Sequence, residues 1–243
     1  MNRYMSEEKM NSDSDKPNDE RSLRAEISLF YDLFLPEVQP APLLIALHGY
    51  GANKRQMMRE ARQMAPANFA IASLQGFHQH IKEPKEAGGP LRFGFGWLTN
   101  FKPEESVAVQ HRALLDLISN LVHEGSADEQ RIFLLGFSQT CALNFRFAFT
   151  YPDKLRGVIG LCGGLPGDWE TSELYQPTEA GVLYLSGTRD EFYPPSRVGD
   201  YAERLRLRAR DVEVKSYDAG HEFVPAMRED VRAWLIKRLD DRR

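Results

Sequence analysis

Short apolar runs recur along this chain, and stretches with apolar residues at helical spacing lie between them. Leu43 to Leu47, Phe69 to Leu74, Ile132 to Leu135, Arg156 to Leu161, Gly181 to Ser186 and Val212 to Tyr217 read as strands. Lys54 to Ala65 reads as a helix with Asn53 as its cap. Pro103 to His123 puts Val107, Leu114, Leu117, Ile118 and Leu121 on one helical face. Further helices are predicted after Ser138, over Ser196 to Arg210 as a solvated outer face, and over Met227 to Leu239. Strands that alternate with helices predict an α/β fold, with a mainly parallel sheet covered on both faces.

The remaining stretches carry less pattern. Leu23 to Leu35 alternates imperfectly and predicts an early edge strand or hairpin, followed by a loop punctuated by Pro36, Pro40 and Pro42. Gly76 to Phe101 has no period, and a loop of that length is usually functional or flexible. Its aromatics, Trp97 among them, either wall a substrate pocket or fasten the loop to the core. His78 and His80 form an H-x-H pair without partners at metal-ligand spacing, so they read as solvated loop histidines. Met1 to Arg21 is polar and aperiodic, which predicts a disordered leader before a single domain over 22–243.

Composition narrows the function. A formal charge of -4 over 243 residues argues against nucleic acid as the main partner. No apolar run approaches the roughly 20 residues of a membrane span. The N-terminus lacks an apolar signal core, which predicts cytoplasmic residence. Cys141 and Cys162 are expected to be buried, reduced thiols in place of a redox pair. A monomer and a homodimer are equally compatible with the sequence.

The candidate chemistry begins at Gly136-Phe137-Ser138-Gln139-Thr140, between a predicted strand and a predicted helix. A serine at such a turn holds its hydroxyl clear of the backbone, and the helix N-terminus turns partial positive charge toward a developing oxyanion. The usual pattern, G-x-S-x-G, ends in glycine; Thr140 here requires a local adjustment or small neighbours. Serine also needs a base, and the base needs an orienting partner. Asp190 and His221 follow the ends of successive later strands, in the order this sheet topology requires. Asp218 and Asp168 are the alternative acids. The amides of Gln139 and of Tyr50, in His48-Gly49-Tyr50-Gly51, are candidate oxyanion donors, with His48 a structural residue of that turn. Trp97, Leu165, Phe192 and Phe223 are candidates for shaping the substrate position.

With these residues in place the chain resembles the α/β-hydrolase superfamily, and within it the phospholipase/carboxylesterase group that includes acyl-protein thioesterases. The resemblance rests on L-H-G-Y-G-A at Leu47 to Ala52, G-F-S-Q at Gly136 to Gln139, G-T-R-D at Gly187 to Asp190 with Pro194-Pro195 beyond, and A-G-H at Ala219 to His221. It implies little or no cap domain and a cofactor-free, metal-free serine hydrolase of small ester or thioester substrates, with short to medium acyl chains common. A carboxylesterase is the reading it favours. A thioesterase or lysophospholipase with the same triad is the rival enzyme, and a catalytically silent binding module is the rival from another class. Thr140 and the insertion-like stretch Ile81 to Gly96 depart from the family pattern.

Overall fold

A computed structural model describes residues 21–240 except positions 85 and 87. The expected polar leader therefore lies outside the described residues, save for Arg21. The elements in chain order are β1 (Tyr31–Phe34), β2 (Ala41–Leu47), α1 (Lys54–Met64), β3 (Ala70–Leu74), β4 (His78–Lys82), β5 (Arg92–Gly96), α2 (Pro103–His123), β6 (Ala127–Phe137), α3 (Gln139–Thr150), β7 (Gly157–Leu161), β8 (Gly181–Gly187), α4 (Pro195–Val198), α5 (Tyr201–Arg206), β9 (Val212–Tyr217) and α6 (Pro225–Asp240).

Seven strands form one sheet in the order β1-β3-β2-β6-β7-β8-β9. Only β1 is antiparallel, pairing Tyr31 with Leu74 and Phe34 with Ile71. The other six strands, β3, β2, β6, β7, β8 and β9, are parallel, so their carboxyl ends share one edge. The chain leaves β2 toward β3 on one side and returns as β6 on the other. Open α/β sheets put their ligand crevice at such a switch in strand order.

Successive residues of the central strands alternate between two cores. Leu43, Ile45, Leu47, Ile132 and Leu134 join the face covered by α2, α3 and α5. Leu44, Ala46, Phe133 and Leu135 join the face covered by α1 and α6. A strand buried on both sides becomes a continuous apolar run, which is why these segments stand out in the sequence. Leu134 is wholly buried, and its truncation to alanine costs roughly 2–5 kcal/mol. Asn53 caps α1 by accepting from the Gln56 amide at 3.0 Å.

Three expectations change. The early strand or hairpin reduces to the four residues of β1. The helix expected over Ser196 to Arg210 is broken into α4 and α5, with Gly199 and Asp200 between them. Glycine weakens a helix interior, and Val198, Tyr201 and Leu205 are buried, so the segment is no simple solvated face. The aperiodic stretch Gly76 to Phe101 contains an antiparallel hairpin, with β4 pairing His78 to Gly96 and Ile81 to Phe93 across β5. Among the described residues, no helix is long and apolar enough to cross a membrane.

Candidate active site

Strand β6 passes into α3 through Ser138, whose φ of 57° and ψ of -116° lie outside the regions ordinary residues favour. Such a conformation costs on the order of 1–3 kcal/mol and persists only where the surroundings enforce it. The Ser138 amide donates to Leu161 O at 2.9 Å, and the Cys141 amide donates to Ser138 O at 3.1 Å. Glycines permit the close approach: a Cβ on Gly163 would come within 2.4 Å of Ser138 O, and one on Gly136 within 2.6 Å of Asn144 Nδ2. Thr140 is wholly buried. Its hydroxyl accepts from the Phe137 amide at 2.9 Å and faces the carbonyls of Leu47 and Phe137, each at 3.0 Å. The threonine is thus accommodated by hydrogen bonds to backbone.

At the adjacent end of β2, the turn His48-Gly49-Tyr50-Gly51 leans on this elbow. A Cβ on Gly49 would lie 3.2 Å from Ser138 Cβ and 3.0 Å from the Phe137 ring. Gly51 takes φ 78°, the left-handed region that glycine occupies without penalty. The β4–β5 hairpin holds the turn from outside. Gly51 N donates to Phe95 O at 2.8 Å, Phe95 N donates to Ala52 O at 3.2 Å, and Lys82 Nζ donates to Gly51 O at 3.1 Å. Among the described residues the Tyr50 amide donates to no protein acceptor, so it remains available to a ligand. Gln139 opens α3, and the first amides of a helix have no acceptor within it. Its side chain is occupied elsewhere, accepting from Trp97 N at 2.8 Å and donating to Leu98 O at 3.2 Å.

Asp190 and His221 sit beyond the ends of β8 and β9. His221 Nδ1 donates to Asp190 Oδ2 at 2.9 Å. Asp190 Oδ1 accepts from the amides of Phe192 and Tyr193, each at 2.9 Å, a turn in which the side chain fastens its own loop. Burial acts to raise the Asp190 carboxyl, but the hydrogen bonds from His221, Tyr193 and Phe192 outweigh it and hold the group below the usual carboxylate range. The imidazole is enclosed by rings, with Phe137 at 4.8 Å, Phe192 at 4.9 Å and Tyr193 at 5.9 Å between centroids. Phe137, on which the imidazole packs, directly precedes Ser138 in the chain. Among the described residues no hydrogen bond yet joins Ser138 Oγ to His221, and such bonds often tighten only around a substrate. The alternative acids are engaged elsewhere. Asp218 pairs with Arg189 at 2.6 Å on the surface, and Asp168 pairs with Arg146 at 2.7 Å and Tyr175 at 2.9 Å.

His48 is held in one neutral tautomer. Its Nδ1 donates to Gly49 O at 2.8 Å, while its Nε2 accepts from Gly76 N at 2.9 Å. Burial, opposed by the Gly49 bond, lowers its pKa to about 4, and burial with the Arg146 charge does the same for His111, on the face of α2 that packs against Phe147 of α3. Below the ordinary value of 6.5 the unfolded chain binds protons that the folded chain excludes. Stability therefore falls as pH drops from 6.5 toward about 4. At pH 5 the loss is on the order of 2 kcal/mol per histidine. Urea unfolding at pH 7 and pH 5 measures it, and equal stabilities would refute the assignment.

The other candidates are distributed unevenly. Phe192 is exposed beside His221, and Phe223 packs on Phe137 with ring centroids 4.3 Å apart. Leu165 is buried just beyond β7. Trp97 is wholly buried and supports the site from behind, its Nε1 donating to His48 O at 2.9 Å. The histidine pair is not a pair of solvated loop residues. His78 Nε2 meets Ser106 Oγ at 2.9 Å, and His80 stacks on Tyr50 with centroids 4.4 Å apart. Among the described residues, no group of three or more His, Cys, Asp or Glu could hold a metal. Cys141 and Cys162 are free, buried thiols. Burial, then the Asp190 charge, pushes Cys162 up to about 12, and burial raises Cys141 as well. Sequence reasoning missed Tyr193, the Gln139 side chain and the Thr140 hydroxyl. Only Tyr193 carried a signal, as the third residue after an aspartate that opens a turn.

Known proteins resemble this chain in sequence and in fold. The NocK protein of Nocardia uniformis subsp. tsuyamanensis is 27% identical over 164 residues, 66% of this chain and 42% of that one. Acyl-protein thioesterase 1 of Eremothecium gossypii is 29% identical over 133 residues, 52% of this chain and 57% of that one. The chain thus spans about half the length of these curated relatives. The crystal structure of the Bacillus cereus carboxylesterase superposes with a TM-score of 0.68 at 17% identity, covering 86% of this chain and 94% of that one, a likeness of fold. The model of the phospholipase/carboxylesterase family matches residues 33–239, from within β1 to the last turn of α6. By that match the chain belongs to the phospholipase/carboxylesterase family, within the α/β-hydrolase superfamily.

Proposed function

We propose that this chain is a serine carboxylesterase that cleaves short- to medium-chain esters through an acyl-Ser138 intermediate. The observation that carries the reading is the 2.9 Å bond from His221 Nδ1 to Asp190 Oδ2, made beyond the same carboxyl edge of the sheet at which β6 gives way to Ser138. In the neutral imidazole that bond keeps the proton on Nδ1 and makes Nε2 the nitrogen able to accept. As Ser138 Oγ attacks the ester carbonyl carbon, Nε2 takes its proton and Asp190 stabilises the imidazolium. The carbonyl oxygen becomes an oxyanion, received by the amides of Tyr50 and Gln139. One such donor is worth about 3 kcal/mol in comparable chemistry. Collapse breaks the bond to the alkoxy group, which leaves with the proton from Nε2. Water then repeats the sequence on the acyl-serine and releases the acid.

The same steps would cleave a thioester with a thiol as leaving group. Similarity to a protein named acyl-protein thioesterase 1 keeps that reading open. Rates on an ester and a thioester of equal acyl chain would separate the two.

The deciding experiment is labelling with a fluorophosphonate followed by peptide mass spectrometry. The adduct is expected on Ser138. A folded protein that takes no label, as a silent binding module would, or one labelled elsewhere, overturns the proposal.

A further inference from the structure

We infer that Thr140 is a positioning residue whose hydroxyl fixes the spacing between the two arms of the proposed oxyanion hole. The inference rests on the esterase reading above and concerns the one position where the elbow departs from G-x-S-x-G. The arms belong to different strands. Tyr50 follows β2, and Gln139 follows β6 through Ser138. The last rung of the β2–β6 ladder pairs Leu47 with Gly136. Beyond that rung the strands part, one into the His48–Gly51 turn and the other into the elbow. A sheet ladder no longer determines how far apart the two amides lie.

The Thr140 hydroxyl bridges that gap. Its oxygen accepts from the Phe137 amide at 2.9 Å, one residue before the nucleophile. It also lies 3.0 Å from Leu47 O, three residues before Tyr50. The bond supplies a further rung where backbone pairing has ended. Phe137 O is at 3.0 Å as well, so the single proton has two carbonyls to serve. Either choice keeps the oxygen anchored at the elbow, and the Leu47 choice ties the elbow to β2. Full burial removes competition from water. A glycine would leave the two arms joined by the last rung, by packing against Gly49, and by Trp97, which donates to His48 O on one side and to the Gln139 side chain on the other but touches neither arm's amide.

Thr140 is too deep to touch substrate, so it acts through the amides and not as a catalytic group. An oxyanion hole works by being held in place before charge develops, and a misplacement near 1 Å can cost about a hundredfold in rate. Removing the hydroxyl should therefore lower kcat and leave KM nearly alone. A merely structural threonine would lower the melting midpoint without that split.

The test uses Thr140→Gly, Thr140→Val and Thr140→Ser, each measured for p-nitrophenyl butyrate turnover and for the rate of fluorophosphonate labelling. Glycine and valine are expected to reduce kcat and the labelling rate about tenfold or more, with KM within about threefold. Serine, which keeps the hydroxyl, should stay within about threefold of the parent on both. Valine leaves buried backbone groups unpaired; if it does not fold, the glycine and serine variants decide. A folded glycine variant with parental kcat and labelling rate overturns the inference while the esterase reading stands. A parent protein that takes no label at Ser138 overturns both.

Discussion

Ser138→Ala is expected to lower kcat on p-nitrophenyl butyrate by about 10⁴-fold or more, because the acyl-enzyme route loses its nucleophile. The same variant should melt within about 2 °C of the parent, since surface-like changes that break no bond stay near 0.5 kcal/mol. The structure gives the reason for this second expectation. Among the described residues the Ser138 hydroxyl makes no protein hydrogen bond, and alanine bears the same backbone strain at φ 57°. Glycine at this position should instead gain about 1 kcal/mol by relieving that strain, and it should be equally inactive. Turnover retained in Ser138→Ala would require another nucleophile. The thiols of Cys141 and Cys162 cannot serve, being buried and held protonated. Undiminished activity would therefore remove the case for Ser138 altogether.

Strands β2, β3, β7 and β8 are legible in the sequence because burial on both faces makes them almost continuous apolar runs. Leu43 to Leu47 lies wholly within β2, and Gly181 to Ser186 falls one residue short of β8. Ser138 and Asp190 each come just after such a run, whereas His221 follows the alternating, half-buried β9; all three lie beyond the carboxyl ends of parallel strands. The hairpin has no comparable signal. Gly94 is there because a Cβ would come within 2.6 Å of His80 Nε2 and 2.9 Å of Gly51 Cα. That residue choice is dictated by docking onto a turn distant in sequence. Segment 83–91 also replaces the tight turn by which a hairpin is usually recognised. Thr140 illustrates the same limit. Sequence identifies it as a departure from the elbow pattern, but its partner Leu47 O is 93 residues away. Only the fold turns an apparent defect into a bridge.

Asp190→Asn should cost about 10⁴-fold in kcat while leaving the loop intact, and Asp218→Asn should change it less than about twofold. The difference follows from what each carboxylate meets. Asp190 Oδ1 accepts from two backbone amides, Phe192 and Tyr193. An asparagine must keep its own oxygen there, because its NH₂ would otherwise face two donors. The NH₂ is then forced toward His221 Nδ1, where Asp190 Oδ2 had accepted a hydrogen bond at 2.9 Å. A donor at that point favours the imidazole tautomer with Nδ1 bare and the proton on Nε2. That tautomer cannot take the Ser138 proton, although every heavy atom is close to its original place. Asp218 has no such geometry: it is exposed and pairs with Arg189. The same comparison separates the two explanations of a slow variant. Loss of activity in Asp190→Asn with an unchanged melting midpoint and an unchanged KM identifies a tautomer effect. Equal losses in both variants would mean that local charge near β8 and β9 matters and the His221 orientation does not.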